Sequence, residues 1–218
     1  MMSHTWCRCV LIASMACAGC RGRQEGLAEQ EVALAAATGI PAELLLEVKH
    51  AGKNLRRLQG TDPNGNPLSA VGVTIDVKRT QAHRTVQRLQ ERAGAGYFAF
   101  ISERNYGIKG APDHVSLLKA SDPYDMLRIM GTNGWNYDIS PEMVIARLKK
   151  WDAEFGLVLS GVGFDWLEAQ FKRRPGNMLA FAKEVYAFCP DVVEQGTGTV
   201  EALAQEMKRT NTLFLWWD

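Results

Sequence analysis

Glycine and proline turn signals divide this chain of 218 residues into short segments of two kinds, and the order of these segments limits the fold. Segments of the first kind carry apolar residues at helical spacing, as in Arg79 to Arg92 and Met143 to Phe155. Segments of the second kind are short runs of β-branched or aromatic residues, as in Ala70 to Val77 and Tyr97 to Ile101. Because the two kinds do not alternate regularly, we predict an α+β fold with helices packed on a mixed or antiparallel sheet.

The individual elements follow from the same signals. Asp62-Pro63-Asn64-Gly65-Asn66-Pro67 predicts a hairpin turn, because Asn-Gly tolerates positive φ and proline fixes its own φ. Residues 41–48 fit either a helix or a strand. Gly161-Val162-Gly163 and the loop 105–110 are predicted to be turns. We predict helices over 27–38, 79–92, 124–130, 143–155, 178–188 and 200–209, and strands over 70–77, 97–101, 114–119, 157–160, 166–171 and 212–217.

The first residues resemble a secretory signal. Cys9 to Ala18 is an uncharged, mostly apolar run, and small residues follow it up to Cys20. The run is too short to span a bilayer, which takes about 20 apolar residues. Its ending Ala-Gly-Cys resembles a bacterial lipoprotein cleavage box, which implies acylation of Cys20 and a membrane anchor. We therefore predict an exported, periplasm-facing outer-membrane lipoprotein, whereas a true start at Met15 would give a cytoplasmic protein.

Cysteine content and charge exclude several classes of protein. Cys189 is the single cysteine beyond the predicted leader, so the core rather than a disulfide must stabilise the fold. It stands before Pro190 at a predicted helix C-terminus, where a thiolate is not stabilised, and a buried, inert thiol is favoured over a catalytic one. The formal net charge is +1, so we expect no nucleic-acid partner.

No pattern in the sequence indicates a metal or a cofactor. His50, His83 and His114 are far apart and lack partners at ligand spacing. Gly107-Ile108-Lys109-Gly110 lacks the Ser or Thr that ends a phosphate-binding loop, and Gly161-Val162-Gly163 lacks the third glycine of a dinucleotide fingerprint. We expect neither a metal nor a cofactor.

Carboxylates are the candidate catalytic groups. Glu168, Glu184, Asp191 and Asp218 could meet in the C-terminal part of the fold, where a pair with divergent pKa values could perform general acid–base catalysis. Of these, Glu184, Asp191 and Asp218 are the catalytic candidates. The alternative is that they cap helices and form salt bridges.

Tryptophans concentrate in the C-terminal half. Trp216 and Trp217 must face opposite sides of a predicted strand, so one can enter the core while the other lies under a covering layer or on an interaction surface. The candidate binding residues are Trp151, Trp166, Gln195, Trp216 and Trp217.

Three strings in the C-terminal part carry a resemblance to a known family. They are Tyr186-Ala187-Phe188-Cys189-Pro190-Asp191, Gln195-Gly196-Thr197-Gly198-Thr199 and Trp216-Trp217-Asp218. Together with Trp151 and the following Phe155-Gly156, they resemble the bacterial "domain of unknown function 4253" proteins over about residues 140–218. The resemblance implies a fold but no activity. Most relatives are expected to be cytosolic, so the leader is a departure from the family.

These observations give a domain plan. We predict a signal peptide over 1–19, a tether over 20–26, an N-terminal α+β region over 27–120 and a family domain over 121–218. The last two can be separate layers or subdomains.

Three functions remain open at this point. The first is a non-enzymatic binding protein of the cell envelope, such as an immunity protein whose partner is a cognate toxin acting in the periplasm. The second is a hydrolase-type enzyme that uses the C-terminal carboxylates. The third is a structural envelope lipoprotein without a specific ligand.

Overall fold

The computed structural model describes residues 26–62 and 64–218, and it confirms the predicted α+β fold. The predicted leader and Cys20 lie outside the described residues. The helices are α1 (Glu29–Thr38), α2 (Ala42–Ala51), α3 (Ala82–Ala93), α4 (Asp125–Met130), α5 (Pro141–Phe155), α6 (Met178–Phe188) and α7 (Val200–Thr210). The strands are β1 (Lys53–Thr61), β2 (Pro67–Val77), β3 (Tyr97–Glu103), β4 (Asp113–Lys119), β5 (Leu157–Val162), β6 (Trp166–Phe171) and β7 (Thr212–Trp216).

All seven strands lie in one mixed sheet with the order β1-β2-β4-β3-β5-β6-β7. Neighbouring strands pair antiparallel except β3 and β5, which run parallel and pair in the described chain at Ile101 and Gly161 alone. The predicted boundary at Ser121 follows β4, and the sheet continues across it because β3 lies between β4 and β5. The division of the chain into separate domains there stays a prediction.

Helices cover the two faces of this sheet unequally. On one face, which we call the covered face, side chains of α4 to α7 form a continuous core with strand residues such as Phe100, Leu167 and Leu215. On the other, the half-covered face, α1 to α3 pack mainly on β1 to β4 around Ile75 and Val115. The second helical layer therefore lies over only one half of the sheet.

Local signals account for the helix ends. Ser140 begins α5 by accepting a hydrogen bond from the Met143 amide, and Thr199 begins α7 by accepting one from the Ala202 amide. Residues 41–48, which fitted a helix or a strand, belong to α2, whose Leu44, Leu45 and Val48 bury one helical face.

One local prediction was wrong, since Gly161 and Val162 belong to β5 rather than to a turn. The predicted helix C-terminus before Pro190 is confirmed, because α6 ends at Phe188. A π-helical segment, Val192–Thr197, was not predicted; it follows the break, and the Pro190 carbonyl oxygen accepts hydrogen bonds from the Val193 and Glu194 amides at its start.

Candidate functional site

The uncovered half of the half-covered face carries aromatic and polar side chains. The strand register places alternate residues of β6 and β7 opposite one another on this face, as Trp166 pairs with Trp216 and Glu168 with Phe214. Glu168, Phe214 and Trp216 form the floor of a groove of about 600 Å³, which we call the β7 groove, and Trp166 is buried beside it. Tyr106, Glu206 and Thr197 stand around it.

A second cavity of about 600 Å³, the β3–β5 slot, opens beside the groove between α3 and β5. The two cavities share His83 and Gln170 in their walls. Together they extend across the part of the sheet that α1 to α3 leave open.

Trp166 packs between the neighbouring strand and the charged residues of the site. Its indole lies flat on the neighbouring strand, where a Cβ atom on Gly161 would come within 2.6 Å of the indole ring and one on Gly163 would clash more severely. The glycines at both positions therefore make room for the ring. Phe214 stacks beside Trp166 with a centroid distance of 6.2 Å, and the Arg104 guanidinium lies 5.7 Å from the ring centroid.

Glu168 is the polar centre of the site, and it is only 8% exposed. Arg104 Nη2 donates a hydrogen bond of 2.7 Å to its Oε2, and Ser160 Oγ donates one of 2.6 Å to its Oε1. Ser160 reaches Glu168 because a β-bulge in β5, between Leu159 and Gly161, turns it onto this face. The carboxylate is thus paired and hydrogen-bonded, as a buried charge requires.

His83 joins the same network from α3. Its Nδ1 lies 3.4 Å from Glu168 Oε1, and its Nε2 lies 2.8 Å from Arg104 Nη2. Because a guanidinium can only donate, Nε2 accepts, and the imidazole proton is assigned to Nδ1, which faces the carboxylate. Both ring nitrogens are therefore engaged.

Asp113 extends the charged cluster into the interior. It is fully buried, with Arg79 Nε 3.3 Å from its Oδ1 and Arg104 Nη1 3.7 Å from its Oδ2. Burial, with Asp165 and Asp113 as like charges, raises the pKa of the nearby Glu103. Such a concentration of buried charges beside a groove is typical of functional sites.

A second polar cluster joins the three strings that carried the family resemblance. Asp191, 2% exposed, accepts hydrogen bonds from Tyr137 Oη at 2.6 Å, Gln195 Nε2 at 3.1 Å and the Asp218 amide at 2.9 Å. Burial alone would raise the pKa of Asp191, but these three donors hold it below its ordinary value of 3.8.

The same region buries the thiol of Cys189. Its Sγ donates to the Trp216 carbonyl oxygen at 3.0 Å, and burial raises its pKa to about 12. The thiol is therefore protonated at neutral pH, which fits the predicted inert role.

Residues 114–218 match the model of a family described as Domain of unknown function (DUF4253). Over this C-terminal part, the chain is similar to the DUF4253 family. The match includes all three strings, and it confirms the predicted resemblance. No curated protein and no solved structure matches the chain.

The DUF4253 match begins inside β4, and this strand lies between β2 and β3, which are outside the match. Within the sheet, β3 also separates β4 from β5. The matched segment therefore shares one sheet with the residues that precede it.

The structure divides the candidate binding residues between two environments. The half-buried Trp216 lines the β7 groove and Trp166 is buried beside it, whereas Trp151 and Trp217 are buried in the core of the covered face. Gln195 donates to Asp191 beside the C-terminal strand. The opposite orientation of Trp216 and Trp217 agrees with strand alternation.

The catalytic candidates lie apart from both cavities. Asp191 and Asp218 meet through the backbone amide of Asp218. Glu184 lies on the exposed side of α6, where it accepts a hydrogen bond of 3.4 Å from Trp151 Nε1. None of the three lines the β7 groove or the β3–β5 slot.

The charged centre, as we call Glu168 with its neighbours Arg104, His83, Asp113 and Ser160, was mostly missed from the sequence. Arg104, Asp113 and Ser160 were not candidates, and His83 was treated as isolated. No local pattern identifies them, because they meet only through the order of the strands. Trp135 was also missed: it is 71% exposed on a short turn in which Asn133 Oδ1 accepts a hydrogen bond from its amide.

Within residues 26–62 and 64–218, no group of three or more His, Cys, Asp or Glu side chains could hold a metal ion. Over the same residues, no helix is both long and apolar enough to cross a bilayer.

Proposed function

We propose that this protein is a non-enzymatic protein-binding module of the bacterial cell envelope. In the most concrete version of this proposal, it is an immunity protein whose partner is a cognate toxin acting in the periplasm. The observation that carries the binding role is the aromatic floor of the β7 groove, where Phe214 and Trp216 line a cavity bounded on one side by α7.

The composition of the groove supports a protein ligand. Phe214 and Trp216 offer a rigid apolar surface, and aromatic residues are enriched where proteins bind one another. Glu168, Arg104 and His83 bond one another at its edge, so the site is ordered before any partner arrives. A preformed site of this kind lowers the entropic cost of binding.

Capture of a partner tests the binding role. The chain from residue 21 onward is used as bait in secreted and lysate fractions of the producing bacterium and its competitors, and bound proteins are identified by mass spectrometry. Thr212→Arg, which places a long cation in the groove, is expected to abolish capture of a stoichiometric partner. Val32→Arg introduces the same side chain at an exposed position on α1 and should leave capture unchanged.

A toxin assay tests the immunity role. The captured protein is expressed in the periplasm of a host with and without this chain. Rescue of growth by the wild type and by Val32→Arg, but not by Thr212→Arg, is the expected result. Equal growth in all cells would contradict the immunity role, and capture that ignores both variants would contradict the groove as the site.

The envelope location is proposed from the leader. Metabolic labelling with a palmitate analogue should mark the wild-type chain but not Cys20→Ser, and the wild type should fractionate with the outer membrane. A soluble, unlabelled wild-type chain would exclude the lipid anchor, and would favour a start at Met15.

The hydrolase alternative, with Glu184, Asp191 and Asp218, stays a prediction. Asp191 is engaged by three donors and has a lowered pKa, so it is unsuited to act as a general acid near neutral pH. A turnover screen with Asp191→Asn as the comparison tests it. The structural lipoprotein alternative predicts no captured partner.

A further inference from the structure

The β3–β5 slot interrupts the middle of the sheet. β3 and β5 pair at Ile101 and Gly161, but no pairing of the described strands extends from there toward their N-terminal ends. The slot lies in this gap, and its walls are mainly apolar, with Phe98, Val158 and Met126 among them. Two strands that could have formed a longer parallel ladder therefore leave space between them.

A side chain occupies the hydrogen-bonding edge of β3 in this gap. Gln90 of α3 donates from Nε2 to the Tyr97 carbonyl oxygen at 3.0 Å and accepts from the Ala99 amide at its Oε1 at 2.9 Å. A carbonyl and the amide two residues later are the pair that a neighbouring parallel strand would engage. The amide of Gln90 thus takes the place of one residue of a missing strand.

The facing edge of β5 is closed in a similar way. Asp152 of α5 accepts a hydrogen bond of 2.5 Å from the Leu157 amide. Because the Gly156 carbonyl oxygen accepts a hydrogen bond from Lys172 on the β6 side, the next amide, that of Leu157, points away from β6 and into the slot. Side chains, rather than strands, therefore engage the Tyr97 carbonyl and the Ala99 amide of β3 and the Leu157 amide of β5.

We propose that the slot binds an extended peptide segment, which adds as a strand along β3 and displaces the side-chain amide of Gln90. The inference rests on the proposed function in one respect, namely that the ligand is a polypeptide. Backbone hydrogen bonds to β3 provide affinity in this mode, and alternate side chains enter apolar surroundings. Apolar side chains pointing toward the covered face would contact Tyr124 and Met126.

Gln90 acts as an internal competitor in this arrangement. A peptide must first break the hydrogen bonds from Gln90 to Tyr97 and Ala99 and then replace them. Removal of the competitor should therefore increase the affinity for the peptide, by about tenfold, since each net hydrogen bond is modest in strength. A purely structural role for Gln90 predicts no such gain.

The test uses a phage-displayed library of random linear peptides selected on the full chain. Dissociation constants of enriched peptides are then measured by fluorescence polarisation. Gln90→Ala is expected to bind them about tenfold more tightly than the wild type. Gln205→Ala is the matched control, because Gln205 is exposed on α7 and lines neither the slot nor the β7 groove. It should bind as the wild type does.

Two further measurements locate the peptide. Val158→Arg changes an exposed wall residue and should weaken binding at least tenfold. In hydrogen–deuterium exchange, the Ala99 amide should exchange faster in Gln90→Ala and become protected again when the peptide binds. If Gln90→Ala does not fold, Gln90→Asn is used, since its shorter side chain cannot reach both backbone groups.

Several results would overturn the inference. They are failure of the library to enrich any peptide sensitive to Val158→Arg, unchanged or weaker binding by the Gln90 variant, and displacement of the peptide only by detergent or fatty acid, which would indicate a small apolar ligand. Thr212→Arg separates the two proposals: it should leave peptide binding intact, whereas it should abolish partner capture through the groove.

Discussion

Each face of the sheet buries a tryptophan, but the two tryptophans have different surroundings. On the covered face, Trp151 is 1% exposed and makes edge-to-face contacts with Phe181 and Phe188 at centroid distances of 5.3 and 5.9 Å. On the half-covered face, Trp166 lies flat on glycines and carries a charged guanidinium above its ring. The first tryptophan fills a core, and the second supports a polar site.

This difference indicates which face of the sheet can carry a specific binding site. A sheet with helices over all of one face and half of the other obtains most of its apolar burial from the first. The uncovered strands are then free to carry buried charges such as Glu168 and Arg104, which cost stability unless paired. The following variants test this division, from the largest expected effect to the smallest.

Trp151→Ala should be the most destabilising change. Removal of a large buried aromatic ring leaves a cavity, and we expect a loss of about 3–5 kcal/mol in the free energy of unfolding. Trp216→Ala, on the half-covered face, should cost about 1–2 kcal/mol because its side chain is only partly buried. Urea unfolding followed by circular dichroism measures both. Equal losses would mean that the two faces contribute equally to the free energy of unfolding.

Glu168→Gln should cost about 3 kcal/mol in the free energy of unfolding, because it removes the closer of the two carboxylates that pair with Arg104 and leaves only the 3.7 Å contact with Asp113. Glu142→Gln is the control: it breaks an ion pair with Arg128 in which the Glu142 side chain is 67% exposed, and it should have no measurable effect. If the two variants behave alike, the charged centre contributes no more than a surface pair.

Asp191→Asn should reduce the free energy of unfolding by about 1 kcal/mol at neutral pH, because it weakens charge-assisted hydrogen bonds. The pKa of Asp191 is lowered in the folded state, so its contribution is complete above the unfolded value of 3.8 and is lost as the pH falls through the folded pKa. The difference from the wild type should therefore shrink as the pH falls below about 4 and disappear only below the folded pKa of Asp191. Glu47→Gln, on an exposed face of α2, is the control and should leave the free energy of unfolding at neutral pH unchanged.

Trp135→Ala should change the free energy of unfolding by less than about 0.5 kcal/mol, because the side chain is 71% exposed and lies outside both cores. The same variant should remove the tryptophan fluorescence that acrylamide quenches most easily. A large loss of stability would show that the turn of Trp135 supports the covered face.

Elements with strong local signals were predictable from the sequence. Ser140 before Pro141 and Thr199 before Val200 set the starts of two helices, since an oxygen on the capping side chain satisfies a free backbone amide. The hairpin of β1 and β2 followed from its Asn-Gly turn. Such features depend on residues a few positions apart.

The charged centre could not be predicted in the same way. Arg104 and Glu168 are 64 positions apart, and they meet because β3, at the edge of the N-terminal antiparallel strands, also pairs with β5. Gly161 and Gly163 suggested a turn by composition, although their role is to accommodate the ring of Trp166. The order of strands that are distant in sequence, not local propensity, determines both the contact of Arg104 with Glu168 and the packing of Trp166 on the two glycines.

The meeting of β3 and β5 also bears on how the protein folds. The strands β1 to β4 form one antiparallel set from residues 53–119, and β5 to β7 form another from residues 157–216. Each set can close through contacts within itself, and the junction between them must be gained last. We expect the amides near Ile101 and Gly161 to exchange through a partial opening that leaves both sets intact. The junction between β3 and β5 would then open without unfolding of either set, and the sheet would consist of two folding units, one on each side of this junction.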